Sequence, residues 1–185
     1  PTEVTGTLPT QFMAGTPTSA DATPTASALP SLSPELQAQR ATALAEPKPS
    51  KPEAVSQNTE EGAINAVNYF FALYRYAFIT GDTADLAAMS EDACVFCKST
   101  IDNATKLHQG GGWANPWETN LNDLYYIPPG EGKEYSGIQG TITSSASTTV
   151  RGSGETTEKS AETLSFFVAL KYADEAWTIK GVSVE

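Results

Sequence analysis

The residues best suited to chemistry are Cys94 and Cys97, the two cysteines of the chain, in the stretch DACVFCKST. A Cys-x-x-Cys pair can be a redox centre, half of a zinc site, or a covalent staple. Zinc takes about four ligands, and beyond this pair the sequence offers one histidine, His108, and no second cysteine pair. Thioredoxin-like exchange wants the pair at the start of a helix that follows a strand, inside a βαβ pattern. Here a helical pattern and a turn precede it, and nothing signals a parallel sheet. The reading is a disulfide closing a tight turn at a helix start, in an oxidising compartment. Residues three apart at such a start can come within bridging Cα distance. No metal or cofactor is expected.

Candidates for acid–base work are Tyr69, Tyr74, Tyr76, Asp102, His108, Tyr125 and Tyr126, and they form no recognisable constellation. A tyrosine on a helical stripe usually belongs to the core, with its hydroxyl at the rim. His108 precedes a Gly-rich run without an identifiable orienting partner, so it reads as a surface or capping residue at a helix end. Asp102 and Asn103 read as solvated helix positions. The Asn-Ala-Thr at 103–105 fits a glycosylation acceptor, which a bacterial origin would make accidental. In GGGWANPW, Trp113 and Trp117 bracket a proline after three glycines. Exposed indoles are costly unless they pack or bind, so Trp113 and Trp117, with Tyr125 and Tyr126 of YYIPPGEGKEY, are candidates for a docking or lid loop. The plainer alternative is that both indoles close the base of the core.

The elements that must position these residues occupy only part of the 185-residue chain. Residues 1–58 hold nine of the 12 prolines and a single aromatic, Phe12. Such a segment cannot bury enough apolar surface to offset its chain entropy, so it is expected to be an extended Pro/Thr/Ser/Ala-rich tether. A short helix over 34–45 is the exception: Ser33 can cap it, Pro34 suits its first position, and Leu36 and Leu44 share a stripe. Residues 59–185 carry every Trp and Tyr and form the expected domain, with 8 Lys and Arg against 17 Asp and Glu.

Within the domain, Ile64, Val67, Phe71, Tyr74 and Phe78 recur at helical steps, widened by Phe70, Leu73 and Ala77. This predicts a helix of about 20 residues, capped by Asn58 with Glu61 and closed by Gly81. Asp82 caps a short helix through Leu86 and Met89, and a third runs from near Cys94 to Leu107 and ends at Gly110–Gly112. The period then changes to two. NPWETNLNDLYYI is a first strand, stopped by Pro128 and Pro129. GIQGTITSSASTTV is a second, with Ile138, Ile142, Ala146 and Val150 on one face. ETLSFFVALKY is a third, with Leu164, Phe166, Val168, Leu170 and Tyr172 aligned. AWTIKGVSV closes the set, with a parity shift at Gly181 that predicts a β-bulge. The expected fold is α+β: a curved antiparallel sheet of about four strands wrapped around a long N-terminal helix, with two shorter helices.

The helix pair EGAINAVNYFFALYRYAFITGDTADLAAMS, the following CVFC and the later GGGWANPWE resemble the nuclear transport factor 2-like domains of uncharacterised actinobacterial secreted lipoproteins. The resemblance spans roughly residues 58–185. It implies a cone-shaped pocket between sheet and helix, for which Phe70, Phe71, Tyr74, Phe166 and Val168 are the candidate lining. It also implies an N-terminal tail that follows a lipidated cysteine, which this sequence does not contain. The chain starts at Pro1, which suggests a processed product whose signal peptide has been removed.

A formal charge of −11 and a pI near 4.5 argue against nucleic acid, whose binders present basic patches. They also argue against direct binding to acidic lipid headgroups. No apolar run approaches the roughly 18 residues that span a bilayer. Three functions stay open. The first is a non-catalytic, lipid-anchored accessory subunit at the outer face of the cytoplasmic membrane. Its tail would thread along integral membrane subunits, the candidate being the actinobacterial respiratory supercomplex of cytochrome bc and cytochrome oxidase. The second is a pocket-type binding protein for a small apolar ligand in the cell envelope. The third is an enzyme, which would need a carboxylate or histidine at the bottom of the pocket. Nothing in the sequence points to a homo-oligomer.

Overall fold

The computed structural model describes residues 31–185; the tail residues before Ser31, including Phe12, lie outside the described residues. Helix α1 (Pro34–Leu44) begins where expected, with Ser33 Oγ accepting from the Leu36 N–H at 3.3 Å. Its buried side is set by Leu36 and Ala43. Leu44, expected on that stripe, is 40% exposed instead. Seven residues bring a helix back to the same face after two turns, whereas eight overshoot it.

Extended chain through Pro47 and Pro49 leads to a 3-10 turn at Glu53–Ser56, followed by α2 (Glu60–Thr80). The α2 cap is Thr59, not Asn58: its Oγ1 accepts from the Gly62 N–H at 3.0 Å. Gly81 closes α2 in the left-handed conformation at φ +84°. At Gly62, a Cβ would stand 2.1 Å from the Gln57 carbonyl oxygen, so only glycine lets the 3-10 turn close onto α2. Asp82 Oδ1 accepts from Ala84 N at 3.0 Å at the start of α3 (Ala84–Ala88). Cys94 is the N-cap of α4 (Val95–Gln109).

The strands are β1 (Trp113–Ala114), β2 (Thr119–Ile127), β3 (Ser136–Ser144), β4 (Ser147–Val150), β5 (Thr156–Lys159), β6 (Glu162–Ala173) and β7 (Ala176–Val184). They form a four-stranded antiparallel sheet in the order β2-β3-β6-β7, and a small second sheet in the order β1-β4-β5. The expected bulge is present: Ala169 pairs with Gly181 and Leu170 with Ile179, leaving Lys180 as the extra residue. β2 carries another, at Asn122–Tyr125, where Asp123 has φ +53°.

The second sheet departs from the single sheet expected. The stretch GIQGTITSSASTTV is not one strand: it breaks at Ser145–Ala146 into β3 and β4, which belong to different sheets. Ile138 and Ile142 therefore face the main core, while Val150 joins Trp113, Ile79 and Ala43 in a separate cluster. A short polar turn lets a strand change sheets without disturbing its period-two pattern, so the pattern alone cannot reveal the break.

In the main core, Val67, Phe70, Phe71 and Leu73 of α2 pack on Ile138, Phe166, Val168, Leu170 and Ile179 from the concave face of the large sheet. Phe71 and Phe166 meet edge to face at 5.2 Å. Burying one such side chain contributes about 1.5–3 kcal/mol. Part of the expected tether packs on the domain. Val55 enters this core, and Leu32, Leu36 and Ala43 cover Trp113. The segment gains enough apolar burial from contact with the domain to offset its poor local composition.

Candidate functional site

The long helix and the curved sheet diverge toward the C-terminal half of α2, and the space between them is a cleft of about 450 Å³. Its floor and walls are Phe71, Tyr74 and Phe78 of α2, Phe96 of α4, and Ile142, Leu164 and Val184 of the sheet. The Tyr74 ring stacks on Phe96 at 6.0 Å and meets Phe78 at 5.2 Å. Trp117 closes one side. Its position is fixed through Arg75, whose Nε–H donates to the Trp117 carbonyl and whose guanidinium lies 5.8 Å from the indole centroid. Arg75 also pairs with Glu46, just past α1. The opposite rim is hydroxylic: Ser144, Ser145, Ser147, Thr149, Thr157 and Ser160.

Three ionisable groups border this cleft. Lys159 and Glu162 form an ion pair, and both act on the Tyr74 phenol. Burial is the largest influence on that phenol and pushes its pKa up; Lys159 pulls it down and Glu162 pushes it up. Tyr74 is therefore a neutral hydrogen-bonding group at ordinary pH.

Of the expected pocket lining, Phe71 and Tyr74 reach the cleft, whereas Phe70, Phe166 and Val168 lie beneath it in the core. The sheet curves, so residues midway along β6 are covered by α2, and only Glu162 and Leu164 at its start stay open. The expected docking loop does not hold together as one surface. Trp113 is fully buried, with its Nε1–H donating to Asn115 Oδ1 at 2.9 Å. Trp117 borders the cleft. Tyr125 is 61% exposed, and Tyr126 turns inward to meet Ser136 Oγ at 3.1 Å. Adjacent strand residues point to opposite faces.

The other acid–base candidates lie away from the cleft. Tyr69 donates to Asp85 Oδ2 at 3.2 Å, and Lys48 holds the same carboxylate at 3.0 Å. Tyr76 is half-buried on α2, and Asp102 is exposed on α4. His108 is half-buried at the end of α4, with Nε2–H donating to the Phe78 carbonyl at 2.9 Å. Burial is the main influence holding its pKa below the ordinary value. Cys94 and Cys97 are joined in a disulfide with Cα atoms 5.3 Å apart, and Phe96, inside that loop, faces the cleft. Among the described residues, no group of three or more His, Cys, Asp or Glu could hold a metal ion. None of the described helices is long and apolar enough to cross a membrane.

Sequence reasoning placed Trp117 in a docking or lid loop, and it does border the cleft, but it missed Phe96, the Lys159–Glu162 pair and the hydroxyl rim. The one available signal was the Ser/Thr density of TITSSASTT and TTEKSAE.

The chain is similar to the intermembrane space region of the chloroplast protein ARC6, at 14% identity and a TM-score of 0.54, over 69% of this chain and 97% of that one. It is also similar to an uncharacterized protein with a cystatin-like fold from Caulobacter vibrioides, at 7% identity and a TM-score of 0.43, over 66% and 88% of the two chains. At such identity the first likeness shows the fold alone. A search of curated proteins finds no match. A family model matches residues 38–183, from within α1 to the end of β7, and the chain belongs to that family, the family of unknown function DUF6318.

Proposed function

We propose that the protein is a binding module whose cleft takes a small, largely apolar ligand. The observation that carries this reading is the open cleft of about 450 Å³ with aromatic and aliphatic walls, within the usual range for small-molecule sites. Its groups favour binding over acid–base chemistry. Glu162 is neutralised by Lys159, burial keeps the Tyr74 phenol protonated, and His108 is engaged at the Phe78 carbonyl. The test is a titration with 1-octanol followed by two-dimensional amide NMR. Saturable shifts confined to Phe71, Phe96, Ile142 and Val184 are expected; their absence at millimolar octanol would sink the reading.

A second reading, an accessory subunit of an extracytoplasmic membrane complex, is supported by the tail. Residues 1–30 are rich in Pro, Thr and Ser, while residues between 31 and 58 seat on the domain through Leu32, Leu36, Ala43 and Val55. A disulfide fits an oxidising compartment. A lipid anchor preceding the tail, and the actinobacterial respiratory supercomplex as host, belong to this proposal. A mild-detergent pull-down from membranes should recover membrane subunits with the full chain and not with a chain lacking residues 1–30. Recovery of none with either chain removes it.

A further inference from the structure

The rim of the cleft narrows the class of ligand. In the β4–β5 ladder, Ser147 pairs with Lys159 and Thr149 with Thr157, and all four residues line the cleft. The hairpin therefore turns one whole face, hydroxyls and a single cation, toward an apolar floor. Ser144 and Ser160 extend the hydroxyl row at the adjoining turns. Ser145 is engaged by the protein, accepting from Glu118 N at 3.0 Å and donating to the Ala146 carbonyl at 3.2 Å. Among the described residues, the remaining rim hydroxyls have no side-chain hydrogen-bond partner, and neither does the Tyr74 phenol.

The rim bears no net charge, because its lysine is paired with Glu162, and the chain as a whole carries −11. An anionic headgroup would compete with Glu162 for the one rim ammonium and approach a negative molecule. A cationic one would find the only rim carboxylate already taken. A neutral headgroup with hydroxyls of its own meets donors and acceptors without either penalty. The cleft as a whole, about 450 Å³, holds roughly 15 non-hydrogen atoms at about 30 Å³ each, which suits one short aliphatic chain with part of a head along the rim.

Resting on the binding reading above, we infer that the cleft accepts a neutral, single-chain amphiphile. Its aliphatic chain packs on Phe71, Phe96, Ile142 and Leu164, and its hydroxylated head lies along Ser147, Thr149 and Thr157 within reach of the Tyr74 phenol. A surface strand rich in Ser and Thr is ordinarily just a solvated face. Here both faces of β5 are exposed, and what sets the Ser147, Thr149, Thr157 face apart is that it is turned toward an apolar floor.

The test is calorimetric titration of the full chain, below micelle concentration, with hexyl and octyl glucoside, octanoate and 1-octanol. Octyl glucoside should bind about 15-fold more tightly than hexyl glucoside, the effect of two buried methylenes, and at least about tenfold more tightly than octanoate, as expected when one rim hydrogen bond is gained without competition from Glu162. Changing Ser147→Ala together with Thr157→Val, both at solvent-accessible strand positions, should weaken octyl glucoside about tenfold and weaken 1-octanol, which has a single hydroxyl and most of its contact on the apolar floor, by less than about threefold. Octanoate binding as tightly as the glucoside, or a glucoside indifferent to the rim change, would overturn the neutral-amphiphile proposal. Failure of 1-octanol as well would overturn the binding reading itself, which separates the two outcomes.

Discussion

At the N-terminal end of α2 the cone is plugged, whereas along its C-terminal half the cone stays open, although both ends are rich in aromatic side chains. At the plugged end the aromatic polar atoms are matched to fixed backbone. Trp177 Nε1–H donates to the Gln57 carbonyl at 2.9 Å, and Tyr172 O–H donates to the Ser56 carbonyl at 2.7 Å. Val55 fills the space between. At the open end Tyr74 and Trp117 border empty volume, held there by Phe96 and by Arg75. Aromatic residues mark both ends equally. What separates structure from site is whether a neighbouring segment of the chain meets them, and residues 53–57 do so at one end only.

The largest effect should come from unseating the plug. Gly62→Val would drive a side chain into the Gln57 carbonyl and should lower stability by about 3 kcal/mol, or roughly 10 °C in Tm, measured by circular dichroism. A near-normal melt would mean that the plugged end tolerates rearrangement and that the contrast is weak. The disulfide comes next. Changing Cys94→Ser and Cys97→Ser together should cost about 2 kcal/mol, the low end for so short a loop. Because Phe96 sits inside that loop, the change should also weaken octanol binding, unlike the Gly62 variant at temperatures where that variant is folded.

Filling the open end should do the reverse. Leu164→Trp, on the half-buried cleft wall, should reduce octanol affinity at least about tenfold with Tm held within a few degrees. A large loss of Tm would show that the cleft is packed core rather than a vacant site. Trp177→Phe at the plugged end should cost about 1 kcal/mol, one hydrogen bond, with octanol affinity unchanged.

The smallest effect belongs to His108, outside both ends. Burial lowers its folded pKa, so as the pH falls the unfolded chain takes up the proton first. Its contribution is fully present above about pH 6.5, the unfolded value, and is lost as the pH falls toward the folded pKa. A urea midpoint that declines slightly from pH 7.5 to 5.5, and no longer does so in His108→Gln, checks this. The carboxylates with lowered pKa, Glu35, Asp85 and Glu134, act below about pH 4–5 and do not overlap that window.

Local physics makes much of the molecule legible in the amino-acid sequence. The helical stripe from Ile64 to Phe78, the alternation of Leu164 to Tyr172, the bulge at Gly181 and the disulfide at the start of α4 all follow from periods and spacings within about twenty residues. The chain determined by itself that there is a long helix, a curved antiparallel sheet and an acidic surface, because backbone geometry and side-chain polarity are written residue by residue. Only the tertiary structure decided that β3 and β4 part company at Ser145–Ala146, that Trp113 is buried while Trp117 borders a cleft, and that a segment of tether-like composition plugs one end of the cone. Those outcomes depend on which distant surfaces meet. A burial gained between residues as far apart as Val55 and Trp177 leaves no periodic trace in either stretch of sequence.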